Sequence, residues 1–193
     1  VDDGSRDDTA AVAASFPLHV VRHPLTLGQG AALQTGMTYA LRAGAEYVVH
    51  FDADGQHNPD EIAELLKPLK AGVADVVLGS RFLRAADRAA VPPGRRLVLR
   101  VSVWVNLLLT GVKLTDAHNG FRALTRRAAE RIALEEDGFA HASEIVYQIR
   151  TRKLRYVEHP TGIQYTAYSR AKGQSFLNGF NVVFDVLAGR VFR

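Results

Sequence analysis

Two aspartates separated by one residue, Asp52 and Asp54, are the side chains in this sequence best suited to chemistry. They follow the apolar run 47–51, which we predict to be a β-strand, and turn-forming residues come directly after them. Side chains alternate along an extended chain, so both carboxylates point to the same side where the strand ends. Adjacent carboxylates repel each other unless a cation lies between them, and oxygen ligands suit Mg²⁺ or Mn²⁺. The alternative is that one aspartate caps a helix predicted from Pro59 while the other is solvated.

Composition and charge restrict the kind of protein and the kind of ligand. The 193 residues suit one folded domain with a sizeable core, and the absence of cysteine excludes disulfides and thiolate sites. The formal net charge of +4 suits a phosphate-bearing ligand or an anionic membrane surface. Nucleic acid fits less well, because the arginines are not interleaved with aromatic residues that could stack on bases. No signal peptide opens the chain, so we expect a cytoplasmic location.

Strands and helices alternate through the first part of the sequence. We predict helices at 7–15, 28–43 and 59–71 and strands at 18–21, 47–51 and 75–78. This order is typical of an α/β protein with a Rossmann-like, doubly wound and mostly parallel sheet, whose ligands bind beyond the carboxyl ends of the strands. The turns at 2–5, 52–56 and 79–81 all follow such ends. Because Val1 reads as the end of a strand, we expect the first strand and helix of the fold to be absent from this sequence.

An apolar stretch at 97–112 is the main feature of the second half. It is interrupted by Arg100, Ser102 and Asn106 and is too short and too broken for a membrane span. It is therefore a core helix or a helix in the membrane interface, and the preceding arginines and Trp104 favour the interface.

The remaining elements are shorter. A polar loop at 115–122 leads into a short strand, and we predict helices at 126–134 and 142–152 and strands at 154–158 and 162–166. A basic loop at 168–174 follows. We divide the chain into a main domain, 1–175, and a C-terminal amphipathic helix, 176–193, which either packs on that domain or binds a membrane or a protein partner.

The motifs described above form an ordered set. They are Val-Asp-Asp-Gly-Ser at 1–5, Gly-Gln-Gly-Ala-Ala at 28–32, Asp-Ala-Asp-Gly-Gln at 52–56, Gly-Ser-Arg at 79–81 and Asp-x-x-Asn-Gly-Phe-Arg at 116–122. In this order and spacing they resemble the family 2 glycosyltransferases of the GT-A fold, and within them the dolichol-phosphate mannosyltransferase-like branch. The resemblance covers the chain to about Ser175. It implies an inverting, metal-dependent transfer of a sugar from a nucleotide diphosphate sugar.

The resemblance also implies roles for individual residues. Nucleotide-binding roles fall on Asp2, Asp3, Gly4, Ser5, Gly30, Asp52, Ala53, Asp54, Arg170 and Lys172, the last two from a basic loop that closes over the donor phosphates. Asp52 and Asp54 would hold the metal, with Gln56 as a further ligand or orienting group. Arg81 would face the acceptor phosphate, and the alternative for this arginine is a surface ion pair. Relatives usually carry Asn and Lys where this chain has Thr26 and Gln29, which leaves the nucleotide preference open.

The acceptor decides whether a catalytic base is needed. A hydroxyl acceptor needs one, and Glu144 is then the candidate, whereas an ionised lipid phosphate needs none. We expect an enzyme that uses Mg²⁺ or Mn²⁺ and transfers a hexose from a UDP- or GDP-sugar to a polyprenyl phosphate. It would work at the inner face of the membrane, with a membrane-protein partner or a homo-oligomer as further expected partners.

Three other functions are alternatives to this one. The first is the same fold acting on a hydroxyl of a glycan or small molecule. The second is a non-catalytic nucleotide- or membrane-binding module, which would not need both carboxylates and a phosphate-directed arginine. The third is a sugar-phosphate nucleotidyltransferase, which is disfavoured because no glycine-rich opening loop with Arg or Lys is present.

Overall fold

The computed structural model describes residues 1–91, 93–117, 119–138 and 140–164. Its helices are α1 (Thr9–Ala14), α2 (Gln29–Arg42), α3 (Ile62–Lys70), α4 (Ala85–Ala90), α5 (Pro93–Thr110), α6 (Arg126–Arg131) and α7 (His141–Thr151). Its strands are β1 (Tyr47–His50), β2 (Val76–Ser80), β3 (Arg122–Thr125) and β4 (Tyr156–Pro160). A short 3₁₀ helix, Pro59–Glu61, leads into α3.

The four strands form one mixed sheet in the order β1-β3-β2-β4. Strand β4 runs parallel to β2, whereas β3 runs antiparallel to both β1 and β2, with Arg122 opposite His50 and Leu78. Three strands therefore point the same way. Their carboxyl ends and the amino end of β3 meet along one edge, here termed the carboxyl edge.

Helices cover both faces of the sheet, as the alternation of elements predicts. On one face α2, α6 and α7 enclose a core built around Met37, Leu124, Ile145 and Ile149. On the other face α3 packs Leu65 and Leu69 against the sheet. Strand β2 is buried throughout, which explains why its residues form a continuous apolar run instead of an alternating one.

The start of α3 excludes the capping alternative for the Asp-x-Asp motif. The side chain of Asn58 accepts a hydrogen bond from the N–H of Asp60, and Pro59 occupies the first helical position, where a missing N–H costs little. Asn58 is therefore the cap, and neither Asp52 nor Asp54 has that role.

Two predicted strands are wrong where the structure describes them. Segment 18–21 is not a strand, because its neighbourhood offers only one parallel bridge, between Asp2 and Arg22, with two backbone hydrogen bonds. Residues 162–164 are not a strand either, because the N–H of Gln164 donates to Gln56 O at 2.8 Å and draws the chain away from the sheet. Residues 165–166, the basic loop and the predicted helix 176–193 lie outside the described residues.

The apolar stretch predicted at 97–112 is helical and forms most of α5. Within the described ranges, no helix combines the length and the hydropathy that crossing a bilayer requires.

An ion pair joins β2 and β4 at the opposite edge of the sheet. Asp75 accepts hydrogen bonds from the backbone N–H, Nε and Nη2 of Arg155, at 2.9, 3.1 and 3.0 Å. These bonds from Arg155 hold the pKa of the Asp75 carboxyl below its usual value, against the opposing effect of burial.

We predict that Asp75→Asn lowers the urea midpoint by roughly 0.5 M at neutral pH, a modest effect because Arg155 is largely exposed and water screens its charge. Since the folded-state pKa is lowered, this stabilisation is fully present above the unfolded-state pKa of about 3.9 and is lost as the pH falls through the folded-state pKa. Urea titrations at several pH values should show the midpoints of Asp75→Asn and of the unmodified chain converging in acid. A difference that does not change with pH would contradict this account.

Candidate active site

The loops at the carboxyl edge bring several of the predicted site residues together. Asp52 and Asp54 follow β1, Arg81 follows β2, and the loop at 115–121 precedes β3 at the same edge. The side chain of Asn119 donates to Thr161 Oγ1 at 3.0 Å, which ties this loop to the residue after β4. The edge is thus a single site built from four strand ends.

Asp52 is held by two distant parts of the chain. Its Oδ1 accepts a hydrogen bond from Gln29 Nε2 at 3.0 Å, at the start of α2. Its Oδ2 lies against Gly120, where an added Cβ would come within 2.5 Å of that oxygen. A side chain at position 120 would therefore displace the Asp52 carboxylate from this position.

Asp54 closes the turn that follows. Its Oδ1 accepts a hydrogen bond from the backbone N–H of Gln56 at 3.0 Å. Both aspartates are half-buried, so their carboxylates remain accessible to a ligand. In the part of the chain that the structure describes, no three acidic or histidine side chains converge as a metal site. The donor set fits a magnesium-like ion that takes one or two carboxylates from the protein and its other ligands from phosphate and water.

A buried arginine lies behind Asp52, and sequence reasoning assigned it no role. Burial lowers the pKa of Arg122 to about 10, although the carboxylates of Asp52 and Asp116 oppose the shift, so the guanidinium is charged at neutral pH. Opposite it in the sheet, burial and the charge of Arg122 lower the pKa of His50 to about 3. The imidazole is therefore neutral. Among the described residues, neither His50 ring nitrogen nor Arg122 Nη1 has a hydrogen-bond partner.

Asp3 organises the segment before α2. It accepts hydrogen bonds from the N–H groups of Leu27 and Gly28 at 2.9 and 2.8 Å, and its Oδ1 lies 2.7 Å from His23 Nδ1. Desolvation raises the pKa of Asp3, but the bonds from Leu27, His23 and Gly28 outweigh it and leave that pKa lowered. The carboxylate holds the chain in place, and the predicted contact with the nucleoside stays a prediction.

Asp2 and its neighbours form a compact turn. Asp2 Oδ1 accepts from the N–H of Ser5 at 3.1 Å, and its Oδ2 lies 3.1 Å from Arg22 Nε. Hydrogen bonding by Ser5 is the main reason why the pKa of Asp2 is lowered. Gly4 has a φ of 72°, and a Cβ there would lie 2.7 Å from the backbone of Leu25, so the turn requires glycine.

Glu144 contacts the backbone of another loop. Its carboxylate accepts hydrogen bonds from the N–H groups of Glu135 and Glu136 at 3.0 and 3.1 Å. This loop packs on the start of α2, where the N–H of Gly30 donates to Asp137 O at 2.8 Å. An added Cβ at Gly30 would lie 1.9 Å from Glu136 O. Glu144 therefore holds the surface on which the Gly-x-Gly turn rests, and its predicted role as a catalytic base stays a prediction.

Arg81 forms an ion pair, but not at the surface. Its Nε and Nη2 donate to the two carboxylate oxygens of Asp116 at 2.5 and 2.6 Å, and both side chains are buried. Glu158 fixes the same loop by accepting from the N–H of Thr115 at 2.8 Å. The alternative, a surface ion pair, is wrong because the ion pair that Arg81 forms is buried. The predicted contact of Arg81 with an acceptor phosphate stays a prediction. Arg170 and Lys172 lie outside the described residues.

Comparisons with known proteins agree on one family. A sequence model described as "Glycosyl transferase family 2" matches residues 1–133. The chain is 34% identical over 192 residues to the polyprenol monophosphomannose synthase of Mycolicibacterium smegmatis, a match that covers 94% of this chain and 70% of that protein. It is 29% identical over 206 residues to the UDP-N-acetylglucosamine–dolichyl-phosphate N-acetylglucosaminyltransferase of Methanococcus voltae, covering 97% of this chain and 82% of that protein.

Solved structures share the fold. The glucosyl-3-phosphoglycerate synthase of Mycobacterium tuberculosis, in complex with Mn²⁺, uridine diphosphate and glucosyl-3-phosphoglycerate, matches with a TM-score of 0.68 and 19% sequence identity. The match covers 97% of this chain and 65% of that one, so this chain spans slightly less than two thirds of the solved protein. Together with the family match, this likeness confirms the predicted GT-A fold with its mixed, mostly parallel sheet.

We predict that Gly120→Ala lowers the rate of sugar transfer about 100-fold, because the added methyl group displaces Asp52. Thermal unfolding should change little, since the aspartate can shift toward solvent. Gly94→Ala is the matched control, because nothing lies within 4 Å of a Cβ at that position. Equal activities of the two variants would show that the approach of Gly120 to Asp52 is unimportant.

Proposed function

The chain belongs to glycosyl transferase family 2, and we propose that it is an inverting enzyme that transfers a hexose from a UDP- or GDP-sugar to a polyprenyl phosphate. The names of two relatives support this acceptor class, because they describe a dolichyl-phosphate transferase and a polyprenol monophosphomannose synthase. Those names specify different sugars, N-acetylglucosamine and mannose, so the proposal names no single sugar.

One observation carries the proposal: Asp52 and Asp54 lie at the carboxyl end of β1, and Gly120 and Gln29 fix Asp52 there. We propose that the two carboxylates, with Gln56 as a further ligand or orienting group, hold Mg²⁺ or Mn²⁺ against the donor diphosphate. A bound divalent cation offsets the negative charge that the leaving nucleoside diphosphate gains. The mycobacterial structure of the same fold contains Mn²⁺ and uridine diphosphate, which supports a divalent metal for this fold in general.

We assign the remaining donor contacts from the resemblance to the family. The turn at 2–5 has its carboxylates fixed, and Asp3 binds the N–H of Gly28, the residue before Gln29, whose side chain reaches Asp52. We place the nucleoside along this turn. Arg170 and Lys172 would approach the donor phosphates and exclude water, which would otherwise hydrolyse the donor. Arg81, held by Asp116, would set the position of the acceptor phosphate.

The hydrogen bonds of the Glu144 carboxylate support a phosphate acceptor over a hydroxyl acceptor. A phosphate is already ionised near neutral pH, so its oxygen can attack without a base. The Glu144 carboxylate already accepts hydrogen bonds from the N–H groups of Glu135 and Glu136 and from Gln148 Nε2. A polyprenyl phosphate resides in a bilayer, and we therefore propose a peripheral location at the inner face of the membrane.

The direct test uses the chain with Mn²⁺, a polyprenyl phosphate and a panel of radiolabelled UDP- and GDP-sugars. We expect label to enter the organic phase with at least one donor. Asp54→Asn should lower that transfer about 100-fold or more, because the ion loses a ligand and the diphosphate its counter-charge. Transfer that is unchanged in Asp54→Asn or in excess EDTA would contradict the proposed use of the metal.

Glu144 separates the two acceptor classes. We predict that Glu144→Gln lowers transfer less than about ten-fold, because an amide oxygen in the position of Oε2 still accepts from the N–H groups of Glu135 and Glu136. Glu144→Ala should cost about 1–3 kcal/mol of folding free energy, because those N–H groups lose their acceptor. Loss of about 100-fold or more in Glu144→Gln, with its stability retained, would instead indicate a catalytic base and a hydroxyl acceptor.

A further inference from the structure

Helix α5 exposes a stripe of apolar side chains and buries several polar side chains on its opposite side. The exposed residues recur at intervals of three or four and form one stripe: Leu97, Val101, Trp104 and Leu108, which are 64%, 50%, 67% and 69% exposed. The buried residues on the opposite side include Ser102, Asn106 and Thr110, which are 6%, 1% and 3% exposed. An amphipathic helix at the surface of a water-soluble domain shows the reverse arrangement. We call the exposed stripe the outer face of α5.

The orientation of α5 is fixed by its contacts with the domain. Arg150 of α7 donates from Nη1 to Thr110 O at 2.7 Å, and this side chain packs over Gly111, where a Cβ would clash with it. On the buried side, the hydroxyls of Ser102 and Thr110 donate to carbonyls one turn earlier in α5 itself, so these polar side chains can face the domain with their donors satisfied. Rotating the helix to bury Trp104 would break the contact with Arg150 and expose Leu99. The apolar outer face is therefore built into the fold.

Charge restricts what can cover this face. Between Asp87 and Asp116 the sequence contains no acidic residue and five basic ones, Arg88, Arg95, Arg96, Arg100 and Lys113. Arg100 is exposed within the apolar stripe, and Lys113 is exposed just beyond the end of the helix. A surface that is both apolar and basic is complementary to one that is apolar and anionic, and each basic residue near an anionic bilayer strengthens binding about five-fold.

Two other occupants have the wrong charge. The chain beyond the described residues, 165–193, carries Arg170, Lys172, Arg190 and Arg193 against a single acid, Asp185. A second copy of the chain would bring the same basic residues to the contact. Neither complements the charge around the outer face.

We propose that the outer face of α5 is a docking surface for an anionic lipid bilayer, on which the helix lies parallel to the membrane plane with Trp104 among the lipid headgroups. This inference deepens the proposed function and rests on it for its purpose, because a polyprenyl phosphate must be reached in a bilayer. Its structural evidence is separate, and consists of the inverted burial of α5 and the basic residues around it.

The chain carries its own probe for this proposal, because Trp104 is its one tryptophan. The full chain is mixed with vesicles of phosphatidylcholine that contain phosphatidylglycerol. We expect Trp104 emission to shift to shorter wavelength, brominated acyl chains to quench it, and the chain to co-sediment with the vesicles.

Val101→Asp and Arg100→Glu should each weaken partitioning about ten-fold or more. Val73→Asp is the matched control, since Val73 is 60% exposed and lies before β2 at the opposite edge of the sheet, and its partitioning should match that of the unmodified chain.

Several results would overturn the proposal. Emission that does not respond to vesicles would exclude docking, and equal binding to pure phosphatidylcholine would exclude the role of charge. A short-wavelength emission in buffer alone would mean that protein already covers the face. If the chain is then a dimer that Val101→Asp dissociates, a second copy covers the face. If it is a monomer whose Trp104 emission changes in Phe184→Asp, the C-terminal segment covers the face.

The assay contains neither donor nor acceptor, so it separates this inference from the proposed function. A chain that docks on vesicles but transfers no sugar would fail only the proposed function. A chain that glycosylates polyprenyl phosphate in detergent but does not dock would fail only this inference.

Discussion

Hydrogen bonds from loop N–H groups to carboxylates hold the carboxyl edge of this protein together. Asp3 receives them from the segment before α2, Glu144 from the loop at 135–136, and Glu158 from the loop before β3. A loop that packs against a sheet leaves backbone donors without strand or helix partners, and leaving such groups unpaired away from water is costly. A carboxylate satisfies two donors at once through strong, charge-assisted bonds. The three loops are therefore fixed before any ligand binds.

This fixed frame places the Asp-x-Asp motif. Gln29, at the turn supported by Glu144, reaches Asp52 from one side, and Gly120, in the loop held by Glu158, approaches it from the other. Arg122 adds a buried positive charge behind the site. Under the proposed function, this fixed arrangement would stabilise the charge that develops on the leaving diphosphate without reorganising the protein during the reaction.

Sequence reasoning recovered the features that depend on neighbouring residues. The alternation of strands and helices gave the α/β class, and the position of Asp52 and Asp54 at the end of an apolar strand is confirmed. The partners of the acids were beyond its reach, because they lie far along the chain: Glu158 binds a residue 43 positions away. Asp3 and Glu144 read the same in a sequence whether they hold a loop or contact a substrate. The outer face of α5 could not be predicted for a similar reason, since the composition indicates an apolar helix but not which side of it the domain buries.

The central claim is that Asp52 and Asp54 bind a divalent cation together with a nucleoside diphosphate. Electron paramagnetic resonance of Mn²⁺ tests it most directly, because the signal of the free ion falls when the ion is bound. The account predicts weak Mn²⁺ binding alone, much tighter binding when UDP or GDP is added, and loss of that gain in Asp52→Asn and Asp54→Asn. Nucleotide binding of equal strength with Mn²⁺ and with excess EDTA, in a chain that retains its fold, would contradict it.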